Sequence, residues 1–142
     1  MAIKHKNRPQ LPLTELPENR KITFSFEYYD TSCDDYCISN QKWSKEQIKK
    51  ALGRLKDISS KSFNQLRKER GVYHFYEVYW EQTIKKEEFP NPAVNHMSPF
   101  HFALLGVNRQ LARVYGAYYA GTFFIVWFDL DHEIWHSPLK HT

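Results

Sequence analysis

Along residues 21–30, KITFSFEYYD, apolar side chains occupy every second position at Ile22, Phe24, Phe26 and Tyr28. That alternation predicts a strand with one buried face. Residues 31–41 read as a loop, with a short strand at Tyr36 to Ile38 as an option within it. The period then lengthens. Ile48, Leu52, Leu55 and Ile58 recur at helical spacing, and Ser44 precedes Gln47 by three residues, the spacing of a capping box. Ser62 and Gln65 repeat that signal, and Phe63 and Leu66 suit a second, shorter helix ending before Gly71. Val72 to Trp80, VYHFYEVYW, is β-branched and aromatic and predicts a strand. Glu81 to Pro99 is a long polar loop with three prolines, a length that points to function or disorder. Phe100 to Val107 predicts another strand. Arg113–Tyr119 and Thr122–Phe128 then form a hairpin joined at Ala120-Gly121, with Gly121 supplying a positive φ. Both of its strands are apolar at nearly every position, so at least one is central with both faces covered. A last short strand or hook, Glu133 to Trp135, follows the turn DLDH.

The order strand–helix–helix–strand–strand–strand–strand defines an α+β fold, with two helices packed on a mainly antiparallel twisted sheet of four to five strands. A chain of 142 residues is long enough for one core without staples. The expected organisation is a flexible, basic, proline-rich arm over residues 1–20 and a single domain over residues 21–142. No apolar run approaches the roughly 20 residues of a membrane span, and the N-terminus lacks a signal-peptide core, so the expected location is the cytoplasm.

Charge adds a direction. The formal net charge is +4, and residues 42–70 hold ten Lys and Arg against three acids. Among these cations Lys49, Arg54, Lys56 and Arg67 are candidates for an RNA-binding face; a solvated amphipathic helix gives the same pattern. Cys33 and Cys37 lack the further ligands a zinc site needs and read as reduced thiols, so neither a metal nor a cofactor is expected. Aromatic residues make up 16% of the chain, and that surplus suggests a sheet face left partly open to a partner.

The segment ARVYGAYY-AG-TFFIVWF-DLD-HEIW, preceded by two helices, resembles the RelE/ParE superfamily of small bacterial toxins, in particular its HigB-type and YafQ-type members. In that family an arginine opens the penultimate strand, a short turn follows, the last core strand is apolar, and a histidine-x-x-aromatic element closes the sheet. The resemblance implies a toxin of a toxin–antitoxin module, a metal-independent endoribonuclease acting on mRNA at the ribosome, with a cognate antitoxin as partner. It implies a catalytic set of His132 as acid or base, Arg113 as phosphate ligand and Tyr115 (or Tyr118) as hydroxyl donor or stacking face, with Arg109 as a second RNA-binding cation. The residues alone leave other roles open. His132 suits a turn histidine bonded to Asp129 or Asp131, and Arg113 suits an edge arginine whose stem covers the sheet. The alternative function is a non-enzymatic phage or mobile-element protein that inhibits a partner through its aromatic sheet face. The discriminator is charge: RNA cleavage needs a net positive site, whereas Asp129, Asp131 and Glu133 fit a protein-binding face of mixed sign.

Overall fold

The computed structural model describes residues 16–135. Eight elements matter: β1 (Thr23–Ser25), α1 (Lys45–Ile58), α2 (Phe63–Lys68), α3 (Arg70–Tyr73), β2 (Tyr76–Glu77), β3 (Ser98–Ala103), β4 (Arg113–Tyr119) and β5 (Thr122–Asp129). The strands form one mixed five-stranded sheet in the order β1-β5-β4-β3-β2. β1 runs parallel to β5, and every other neighbouring pair is antiparallel. The fold is α+β, with the hairpin β4–β5 at its centre.

The helices begin where the side chains dictate. Ser44 accepts the Gln47 backbone N–H while the Gln47 side chain accepts the Ser44 N–H, so both halves of the capping box are formed. Ser62 caps α2 through the Gln65 N–H. The buried side of α1 is Ala51, Leu55 and Ile58. Leu52, expected on that stripe, is 57% exposed. A turn of 100° per residue carries it away from the sheet and lets the small Ala51 approach instead.

Two cores result, one on each sheet face. Under the helices lie Leu55, Ile58, Leu66, Phe75, Phe102, Phe123, Ile125 and Phe128. On the other face Tyr115, Ala117, Val126 and Trp127 pack with Tyr36, Val78, Phe89, Val94 and Ile134. The expected partly open aromatic face is narrowed to the β4–β5 turn end, where Tyr119 stays exposed: residues 80–97 fold over the rest of it. Phe89 and Val94 are buried, the Asn95 side chain bonds both the N–H and the carbonyl of Phe89, and the Ile84 N–H donates to the Ile134 carbonyl. The loop expected to be functional or disordered is a structural cover, held by buried side chains and by backbone N–H groups of non-proline residues.

A β-bulge makes the second core possible. Tyr115 pairs with Trp127 but Gly116 pairs with Ile125, which leaves Val126 as the extra residue of β5. Two consecutive side chains, Val126 and Trp127, then point into the same core. The Asp30 N–H donates to the Val126 carbonyl, and Asp30 Oδ2 accepts from the Trp127 indole at 2.8 Å.

Four expected strand spans change. The first stops at Ser25, because the chain turns with the Tyr29 N–H donating to the Phe26 carbonyl. Tyr29 then packs on Phe128 on one face and Tyr28 on Phe124 on the other. Tyr36 to Ile38 is not a strand; Asp34–Tyr36 is a 3-10 turn. Of Val72 to Trp80 only Tyr76–Glu77 pairs, since Val72 and Tyr73 complete α3, whose left-handed cap is His74 at φ 52. The strand expected over Phe100 to Val107 lies at Ser98–Ala103, since the chain turns after it with the Val107 N–H donating to the Leu104 carbonyl. Of the strand or hook expected at Glu133 to Trp135, the hook forms. The expected arm over residues 1–20 lies largely outside the described residues. Its end is packed: Pro17–Asn19 form a 3-10 turn against α2, with the Asn64 amide donating to Asn19 Oδ1. Among the described residues no helix is long and apolar enough to cross a membrane.

Candidate functional site

β4 starts and β5 ends at one edge of the molecule, and three sequence candidates gather there. Arg113 stands opposite Asp129 in register, and Tyr115 follows two residues along the same strand. Their surroundings are those of a core. Arg113 is 5% exposed, and its Nη1 donates to the carbonyls of Gln110, Leu111 and Ala112 at 2.6, 3.0 and 3.3 Å. Burial pulls its guanidinium below the ordinary value. The first of these carbonyls closes a turn in which Asn108, Arg109 and Gln110 all have positive φ, and the other two follow it. A left-handed run of non-glycine residues is costly, and the guanidinium bond to the Gln110 carbonyl and the Asn108 side-chain bonds to Leu130 and Asp131 offset that cost.

Tyr115 is fully buried, with its ring stacked on His101 at 5.2 Å. Burial and the neighbouring Asp129 push its phenol well above the ordinary value, against the smaller pull of Arg113 and the Trp135 backbone. Arg113 and Tyr115 therefore reach no phosphate in this conformation, which corrects their assignment as phosphate ligand and hydroxyl donor.

Asp129, 1% exposed, is the organising residue of this edge. Its two carboxylate oxygens accept the backbone N–H groups of Glu133 and Ile134 at 2.9 and 2.8 Å. That clamp bends the chain into the hook and drives Ile134 into the second core. Burial raises the Asp129 carboxyl to about 6, with Glu133 and Asp131 adding to the rise and the two N–H bonds opposing it. Asn108 fastens the hook from the other side, donating to the Leu130 carbonyl and to Asp131. Asp131 also meets the Lys42 ammonium at 3.9 Å. His132 sits in the resulting turn, half-buried, with φ 59. Arg109 is exposed on the left-handed turn. The carboxylate signal that bordered the motif thus separates into a buried clamp, Asp129, and exposed acids, Asp131 and Glu133. Tyr36 joins them through its hydroxyl at 3.5 Å from Glu133.

The cationic candidates divide in the same way. Arg54 is a strut rather than an RNA ligand: Nε donates to the Ala103 carbonyl, Nη1 pairs with Asp57, and the guanidinium lies 4.4 Å from the Tyr73 ring centroid. Lys49 and Lys56 are exposed. Together with Lys45 and Leu52 they occupy positions i, i+4, i+7 and i+11, all within about 60° on the helix wheel. α1 therefore presents a stripe of three lysines roughly 16 Å long with an exposed leucine inside it. Arg67 is exposed on α2, its guanidinium 5.6 Å from the Phe63 ring centroid. Sequence reading found these cations individually but missed that Lys45 completes the stripe; the outward face of the wheel carried that signal.

Comparison with protein-family models, with curated proteins and with solved structures gave no match.

Proposed function

We propose that this chain is a RelE-like, toxin-type RNA-binding protein that meets RNA through the exposed lysine stripe of α1. The observation that carries this reading is Lys45, Lys49 and Lys56 in one line on the outward face of α1, held by a helix whose opposite face is locked into the core. Lysine ammonium groups spaced along a rigid rod suit the repeating phosphates of a single strand, and Leu52 among them offers an apolar contact for a base or ribose. The architecture also fits the resemblance, with an arginine opening β4, a short turn, an apolar β5 and a hook carrying His132. Binding rather than cleavage by the expected set is the supported activity, because Arg113 and Tyr115 are committed to the core. His132 is the member of that set with solvent access. The cover also argues against the alternative of a partner gripped by the middle of the aromatic sheet face, where Tyr115 and Trp127 are buried.

The test is fluorescence anisotropy with a short labelled single-stranded RNA over a salt series. Affinity should fall with a slope near −0.7 for each phosphate neutralised. Reversal of the stripe in Lys45→Glu, Lys49→Glu, Lys56→Glu should weaken binding at least a hundredfold, while the His132→Ala protein binds normally. Unchanged affinity in the triple variant would sink the proposal.

A further inference from the structure

The end of the sheet opposite the hook has a second concave, cationic feature. A cavity of about 170 Å³ is lined by Arg20, Lys21, Thr23, Ala120, Gly121 and Thr122. Its floor is covalently and sterically defined. Ala120 and Gly121 both have positive φ (49 and 92), and the Gly121 N–H donates to the Tyr118 hydroxyl at 3.0 Å, which fixes the β4–β5 turn. The Thr23 and Thr122 hydroxyls, paired across β1 and β5 in register, lie 2.9 Å apart. Arg20 reaches over the turn, its Nη2 3.8 Å from where a side chain on Gly121 would begin. Arg20 and Lys21 are both exposed. Glu18 is the carboxylate in the adjoining turn, near enough to oppose Arg20 in its effect on the Tyr118 phenol.

Beside this cavity stands Tyr119, the register partner of Thr122 and 64% exposed. Directly opposed residues of an antiparallel pair project from the same sheet face. Thr23, Thr122 and Tyr119 therefore form a row across three strands, on the face whose other end is buried under residues 80–97. This strip lies beyond the cover. The two hydroxyls bond each other, and Thr23 Oγ1 also donates to the Gly121 carbonyl. An aromatic ring held at a strand end next to two cations has the parts that recognise one nucleotide of a single strand: a face for the base and donors for the phosphate.

We infer that this strip is a mononucleotide subsite for single-stranded RNA, with the base on Tyr119 and the phosphate between Arg20 and Lys21. It rests on the RNA-binding reading above and lies outside the α1 stripe, so it would extend the path of a bound strand around the end of the molecule.

The experiment uses the full chain and a fluorescein-labelled oligouridine, comparing wild type, Tyr119→Ala, Arg20→Gln with Lys21→Gln, and the α1 triple reversal. All altered side chains are exposed, and thermal melts confirm that each variant folds. Tyr119→Ala should weaken binding about tenfold with the salt slope unchanged, as loss of one stacked base requires. Arg20→Gln with Lys21→Gln should lower the slope by roughly 0.7 for each cation removed. Wild-type affinity and slope in both variants, with loss in the α1 reversal, overturns the subsite and leaves the stripe standing. No RNA binding by the wild type overturns both.

Discussion

Asp129 shows how one side chain carries opposing demands. It must accept two N–H groups to form the hook, yet it is buried, and burial lifts its carboxyl to about 6. An aspartate whose folded value exceeds its ordinary 3.8 binds its proton more tightly when folded. Its stabilising share is therefore complete below about pH 4, is lost as pH rises through about 6, and stays absent above. The difference is on the order of 2–3 kcal/mol. Urea unfolding at both ends of that window should show the fall in wild type and its disappearance in Asp129→Asn relative to it. An equal slope in both proteins would mean that Asp129 does not titrate there. Arg113 gives a second residue-level expectation. Its buried guanidinium holds three carbonyls at the end of a left-handed turn and just after it, so Arg113→Ala should cost about 3 kcal/mol in equilibrium unfolding. A phosphate ligand with no structural duty would leave stability unchanged, so the same measurement separates the two roles. His132 and Arg113 were both visible in the sequence as polar residues at the ends of an apolar run. Which of them is accessible was not, because accessibility depends on the left-handed turn at residues 108–110, which has no sequence signature, and on how the hook packs.

Among the elements, the β4–β5 hairpin decides most. Its ends and its Ala120-Gly121 turn were legible, since two β-branched and aromatic runs separated by a glycine-containing pair have few other solutions. The bulge was not. An uninterrupted apolar run carries no alternation to break, so the extra residue Val126 leaves no trace in the pattern. Gly116, opposite the irregularity, is needed for close approach rather than for its φ: a Cβ there would strike the Phe124 carbonyl and the Phe123 ring. Gly116→Ala should therefore destabilise by roughly 3 kcal/mol or more, read as a drop in the urea midpoint, because the obstacle is backbone that cannot move aside. A loss below about 1 kcal/mol would show that the hairpin relaxes around the methyl group. The helices were easier. Ser44 with Gln47 and Ser62 with Gln65 marked both N-termini through local hydrogen bonds that need no tertiary partner. Val72 and Tyr73 misled because the same residues suit a strand or the last turn of a helix, and the left-handed His74 that ends α3 has no glycine to announce it.

At the scale of the whole molecule, charge and burial sort into separate regions. The helix layer turns its lysines outward, the hook edge mixes Asp131 and Glu133 with Lys42 and Arg109, and the β4–β5 turn gathers Arg20 and Lys21 beside Tyr119. A polyanion approaching this surface would meet the α1 stripe and the turn and avoid the hook. The two RNA-binding predictions above test these regions separately, and their salt slopes should add, since the side chains share no partner.

The sequence by itself determined the α+β class, the starts of α1 and α2, the central hairpin and the list of cations, because each rests on local periodicity or on hydrogen bonds between near neighbours. Only the tertiary structure decided which polar residues are available. Covering most of the second sheet face with residues 80–97 turned a loop into core, closed the aromatic surface except at Tyr119, and committed Arg113, Tyr115 and Asp129 to holding the fold. The physical reason is that burial is a property of what packs on a residue from elsewhere in the chain. The outward stripe of α1 and the strip around Tyr119 are what that packing left exposed.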